Sequence, residues 1–177
     1  MAFDGTRTLR GALAGAAAAG VWAAQQPLDK RVFGYDSDDV ELLGRLVARG
    51  PAVLPIGMVM HLANGALFGA AYANLAPSVP LPAAARGPVL GLLEHLATWP
   101  TNALLDRVHP AAGDLPRMWG SGRALAQSTW RHLLFGLVLG ELERRLNPPE
   151  AELEAPDDVA ASSNGHGSPE HLVATGP

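Results

Sequence analysis

The chain has 177 residues, of which 48% are hydrophobic and 17% charged, with a formal net charge of −4 and no cysteine. Charge at that level falls below the roughly 25% of ordinary soluble domains, and the lack of cysteine excludes disulfides, thiolate metal sites and thiol catalysis. No basic patch suited to nucleic acid is visible. The net charge also misleads: residues 147–177 hold six acids and no Lys or Arg, which leaves the rest at +2.

In chain order, Gly11 to Ala24 is apolar and small-sided behind Arg7 and Arg10. It could pass for a signal peptide, but Trp22 makes a poor cleavage site. Ser37 to Arg49 opens with Asp38, Asp39 and Glu41, which suits a helix N-terminus. It then places Val40, Leu43, Leu46 and Val47 on one helical face. The pattern predicts a short amphipathic helix, lying at a membrane surface or packed on its neighbours. From Pro51 through Ala85 there is no Asp, Glu, Lys or Arg, and a bilayer needs only about 20 apolar residues. Val53 to Leu75 therefore reads as a transmembrane helix.

Pro77, Pro80 and Pro82 mark a connection, followed by a third span from Gly87 to Leu105 that Pro100 should bend. Pro110 to Gly122 reads as a loop, with Trp119 as an interface anchor. Ala124 to Leu142 makes a fourth span. From Pro148 the composition is that of a disordered acidic tail.

Two halves of this chain match. His61-Leu62-x-x-Gly65-x-x-x-Gly69 returns as His132-Leu133-x-x-Gly136-x-x-x-Gly140. Ahead of these, Arg10-Gly11, Gly15, Trp22, Leu28 and Asp29 align with Arg86-Gly87, Gly91, Trp99, Leu105 and Asp106. The expected fold is thus all-α: a four-span transmembrane helical bundle in residues 1–146, built from two repeated helical hairpins. Repeat one covers 9–75, repeat two 86–146, and 147–177 is the tail. Both termini should share one side of the membrane, and the repeats should be parallel about an axis along the membrane normal.

The glycines at i+4 and i+8 from each histidine share its helical face. Small residues at that spacing let helices approach closely in lipid, so Gly65, Gly69, Gly136 and Gly140 are the expected packing positions. Glu94 and His95 have no polar counterpart in the first half, and a charged acid at mid-bilayer costs about 2.5–3.5 kcal/mol on insertion scales. Glu94 must be protonated, paired (Arg131 is one partner to consider) or facing water. His61, Glu94, His95 and His132 therefore form the expected polar or proton-sensitive cluster. It can serve as interhelical hydrogen bonding, as a pH-responsive group, or as a ligand set for metal or haem. No tight ligand motif surrounds the histidines, so no metal or cofactor is assigned. No nucleophile–base pair or phosphate loop is visible either, and no enzymatic activity is expected.

The His-led second span ending near Tyr72, the Gly87–Gly91 span with His95 and Pro100, and His132-Leu133 leading to Glu141 and Arg144-Arg145 carry a resemblance. The chain resembles the YagU-type small bacterial inner-membrane proteins over most of residues 9 to 146. The resemblance implies a multi-pass protein of the cell membrane, with the lipid bilayer as partner, and implies no defined activity. The alternative is a subunit of a small transporter or channel, in which four short helices need a homo-oligomer to enclose a path.

Overall fold

The computed structural model describes residues 4–148, so the acidic tail lies, beyond its first two residues, outside the described residues. Everything described is helix, turn or loop, with no strand among the described residues. The carboxylate of Asp4 accepts from the backbone N–H groups of Thr6 and Arg7 and starts α1, Gly5–Phe33. Gly34 stops it with φ at 60°, a left-handed conformation that glycine adopts without penalty. Asp38 caps α2, Asp39–Val47, by accepting from the Glu41 N–H. A 3₁₀ turn then leads into α3, Val53–Leu75.

The second half runs through α4, Ala83–Thr98, a 3₁₀ turn at Trp99–Thr101, and α5, Asn102–Val108. The expected third span is therefore not one continuous helix. Pro100 lacks the N–H that α-helical bonding would use, and the chain tightens there into a 3₁₀ turn. Ser121 caps α6, Gly122–Leu146, through the Ala124 N–H.

Small residues set which helices touch. α1 packs antiparallel on α3, with Gly11 and Gly15 against Gly69 and Gly65. α4 packs antiparallel on α6, with Gly87 and Gly91 against Gly136 and the His132 carbonyl. A methyl placed on Gly65 would lie 2.5 Å from the Ala19 methyl, and one on Gly91 only 2.8 Å from the His132 carbonyl oxygen. Neither space exists for a side chain. α1 also lies along α6, which joins the two hairpins, and α2 rests on the start of α3 through Gly44 and Gly57. α2 thus takes the packed option of the two the sequence allowed.

The buried faces are lined mostly by Gly, Ala and ion pairs around a small core of Trp22, Tyr72, Phe135 and Leu139, and most of the other large aliphatic side chains point outward. Leu13, Leu67, Leu93 and Leu137 are 60%, 71%, 57% and 48% exposed, one on each long helix. Gly50–Ser78, which contains α3, is the one helical stretch among the described residues that is long and apolar enough to cross a membrane.

Candidate functional site

Arg131 is the largest fully buried side chain of α6, at 2% exposure. It does not reach Glu94. Its Nε and an Nη donate to the two oxygens of Asp29 at 2.6 and 2.7 Å, and its other Nη donates to Asp39 at 2.5 Å. The reason is helical geometry, because Arg131 and His132 are consecutive and point about 100° apart. His132 faces α4, so Arg131 faces α1. Gln25 and Gln127 each donate to Asp29, and the Trp22 indole N–H donates to Asp39 at 3.0 Å. Two carboxylates thus share one guanidinium, and both also accept from neutral donors. This network escaped the sequence reading, since Asp29 and Asp39 lie about a hundred positions from Arg131.

Beside it, the expected cluster comes together. His61, Glu94, His95 and His132 all line one cavity of about 360 Å³. α1 and α6 form its floor through Trp22, His132 and Phe135, while α3 and α4 face each other across it. The imidazoles of His95 and His132 stack with centroids 4.5 Å apart, and Trp22 meets His132 edge-on at 4.7 Å and His61 at 5.5 Å. His61 stands apart from the other two, with Nε2 donating to the Ala19 carbonyl at 3.1 Å.

Hydrogen-bond direction fixes where the protons sit. The Thr129 hydroxyl donates to the Leu125 carbonyl, so it can only accept from His95 Nε2 at 3.0 Å. A neutral His95 then presents an unprotonated Nδ1, placed to accept from the Ser128 hydroxyl at 3.4 Å. His132 Nδ1 lies 2.8 Å from the Ser128 carbonyl, an acceptor only, so that nitrogen carries a hydrogen. Its Nε2 faces a Glu94 carboxylate oxygen at 3.2 Å. Two bare acceptors at that distance would repel, and one proton between them makes either an imidazolium–carboxylate pair or an imidazole–carboxylic acid pair.

Each glycine expected at a helix contact has a defined position. Gly65 and Gly69 meet the α1 backbone and Gly136 meets Gly87. Gly140 is looser: a methyl there would find Gly87 Cα at 3.2 Å and the Tyr72 hydroxyl at 3.3 Å. Among the described residues no group of three or more His, Cys, Asp or Glu converges as a metal site would. Outside the cluster, His109 fastens the 109–121 loop. Its Nδ1 accepts from the Ala111 N–H and its Nε2 donates to the Leu42 carbonyl.

No protein-family model, curated protein or solved structure matches the chain.

Proposed function

We propose that this is a four-span, multi-pass protein of the bacterial cell membrane, in which the His132–Glu94 pair holds a proton at mid-depth and couples helix packing to pH. The observation that carries the membrane half is the spacing of arginines along the chain. Arg10 and Arg31 are 21 positions apart, as are Arg86 and Arg107, and Arg123 and Arg144. Along the continuous helices α1 and α6, at about 1.5 Å per residue, that is about 31 Å, the thickness of a hydrocarbon core. Between those arginines most outward side chains of α1, α4 and α6 are apolar; Asp29, Arg131 and Glu143 turn inward, while Glu94 and Glu141 stay partly exposed. α3 has no charge at all in the corresponding stretch.

Two parallel hairpins, as the internal repeat suggests, account for the paired helix contacts. An axis relating them would match the α1–α6 contact with an α4–α3 contact. The first is closed by Trp22 on His132. At the second, their repeat counterparts Trp99 and His61 stand on the walls of the cavity. That departure from symmetry is where the polar additions Glu94 and His95 lie, which supports a role for the cavity beyond packing.

Melting of the purified protein in detergent, followed between about pH 5 and 8 where histidine charge changes, tests the proton-holding pair. The wild type should vary across that range. In Glu94→Gln the amide donates to neutral His132 Nε2 without any bound proton, so this part of the dependence should vanish. Identical profiles in the two proteins would contradict the proposal.

A further inference from the structure

The chemistry of the cavity walls selects its occupant. Two carboxylates line it, Glu94 and Asp39, and no Lys or Arg does. Arg131 lies behind Asp39, but its single charge is divided between Asp29 and Asp39, so the network it belongs to keeps an excess negative charge. Trp22, Trp99, Phe68 and Phe135 contribute aromatic surface. Aromatic faces attract cations through the ring quadrupole. An anion would meet two carboxylates without a counter-charge. A bare metal ion would find its ligands too dispersed.

We propose that the cavity binds a small lipophilic organic ammonium ion, which takes Glu94 as its counter-ion and displaces the proton held with His132. The volume of about 360 Å³ falls in the range of small-molecule sites, roughly 300–1,000 Å³. Access is lateral: Asn64 of α3, and Thr98 and Thr101 beside Trp99, are exposed lining residues at the mouth between α3 and α4. An ammonium with an apolar body can enter there from the bilayer.

The exchange balances. One cation enters and one proton leaves, so the site's charge does not change. Once the ammonium sits against Glu94, an imidazolium at His132 would face it without a counter-ion, so His132 releases its Nε2 proton and stays neutral. The other ionisable groups facing Glu94 are His95 beside it on α4, His61 across the cavity on α3, and Asp39 on α2. The contacts of His95 with Thr129 and Ser128 suit a neutral imidazole and His61 donates to a carbonyl, so the shared proton is the one to go.

This inference rests on the proton-holding pair, and its test separates the two. Benzyltrimethylammonium is titrated into the purified protein in detergent, with neopentylbenzene as a neutral molecule of the same shape. Tryptophan fluorescence reports binding, and weakly buffered solution reports proton release. The cation should bind at least about tenfold more tightly at pH 8 than at pH 5, release one proton, and outcompete its neutral analogue by a similar factor. Glu94→Gln should lose the cation, and Trp99→Ala should weaken it while keeping the pH dependence. Equal affinity for neopentylbenzene, unchanged binding in Glu94→Gln, or binding without proton release would each overturn the inference. Should Glu94→Gln fail to fold, the proton count in the wild type decides. An absence of cation binding alongside pH-dependent melting would overturn the inference and leave the proton-holding pair standing.

Discussion

Gly136 and Gly140 occupy successive turns of one face of α6, yet their surroundings differ in kind. A methyl on Gly136 would drive into the Gly87 backbone, whereas on Gly140 it would press on Gly87 Cα at 3.2 Å and the Tyr72 hydroxyl at 3.3 Å. Gly136→Ala should therefore destabilise by about 1–3 kcal/mol, the usual range for overpacking, and Gly140→Ala by clearly less. Thermal melting of both variants distinguishes this from equal effects, which would mean that α4 and α6 part easily. Arg131 sits under a harsher constraint. Removing it leaves Asp29 buried, and Asp39 partly buried, without a cation, so Arg131→Met should cost about 3–5 kcal/mol. Adding Asp29→Asn should recover part of that loss. A neutral Arg131→Met would contradict the account of the network.

How much of this was legible depends on the range of the signal. The glycines and histidines could be read because a helix repeats every 3.6 residues and the motif occurs twice. The partner of Arg131 could not be. Its choice depends on which way one residue of α6 points relative to its neighbour, and on a loop that brings Asp39 across α1. Glu94 stands out in the sequence by its cost in lipid, but its partner, His132, is one position from Arg131 and faces another helix.

Among the elements, α2 was the least determined. Nine residues with an apolar face suit a membrane surface and a packed groove equally well, and the choice falls to Gly44 and Gly57, which let α2 and α3 backbones meet. Its start hangs on Asp38, whose carboxyl burial pushes upward. The Glu41 N–H and the Lys30 ammonium outweigh that and hold it below the usual carboxylate range. A depressed folded-state value means that its stabilisation is present above the unfolded value near 4 and is lost as pH falls through the folded one. Asp38→Ala should cost about 1 kcal/mol at neutral pH through the lost cap. That cost should shrink as the medium falls below about pH 4. Chemical denaturation of both proteins at the two pH values measures it, and a cost that grows on acidification would contradict the ion pair. The break after Thr98 was half legible. Pro100 announced a bend, but not that the chain would resume as the separate helix α5.

At the scale of the whole molecule, the central claim is that lipid covers the outward faces of α1, α3, α4 and α6. Hydropathy alone singles out α3, because averaging along a helix mixes the Leu and Val of the outer face with the charges of the inner one. Burial separates the two faces and sequence windows do not. The chain has no cysteine, so single cysteines can be introduced without altering native ones. The most direct measurement is labelling of such variants in sealed membranes by an impermeant maleimide. Cysteines at Asp4, Pro80 and Leu146 should react from one side, and those at Asp36 and Gly113 only from the other. Cysteines at Leu13, Leu67, Leu93 and Leu137 should stay unlabelled from either side until the membrane is dissolved. Labelling of Pro80 and Asp36 from the same side, or of those four leucine positions in intact membranes, would contradict the four-span account.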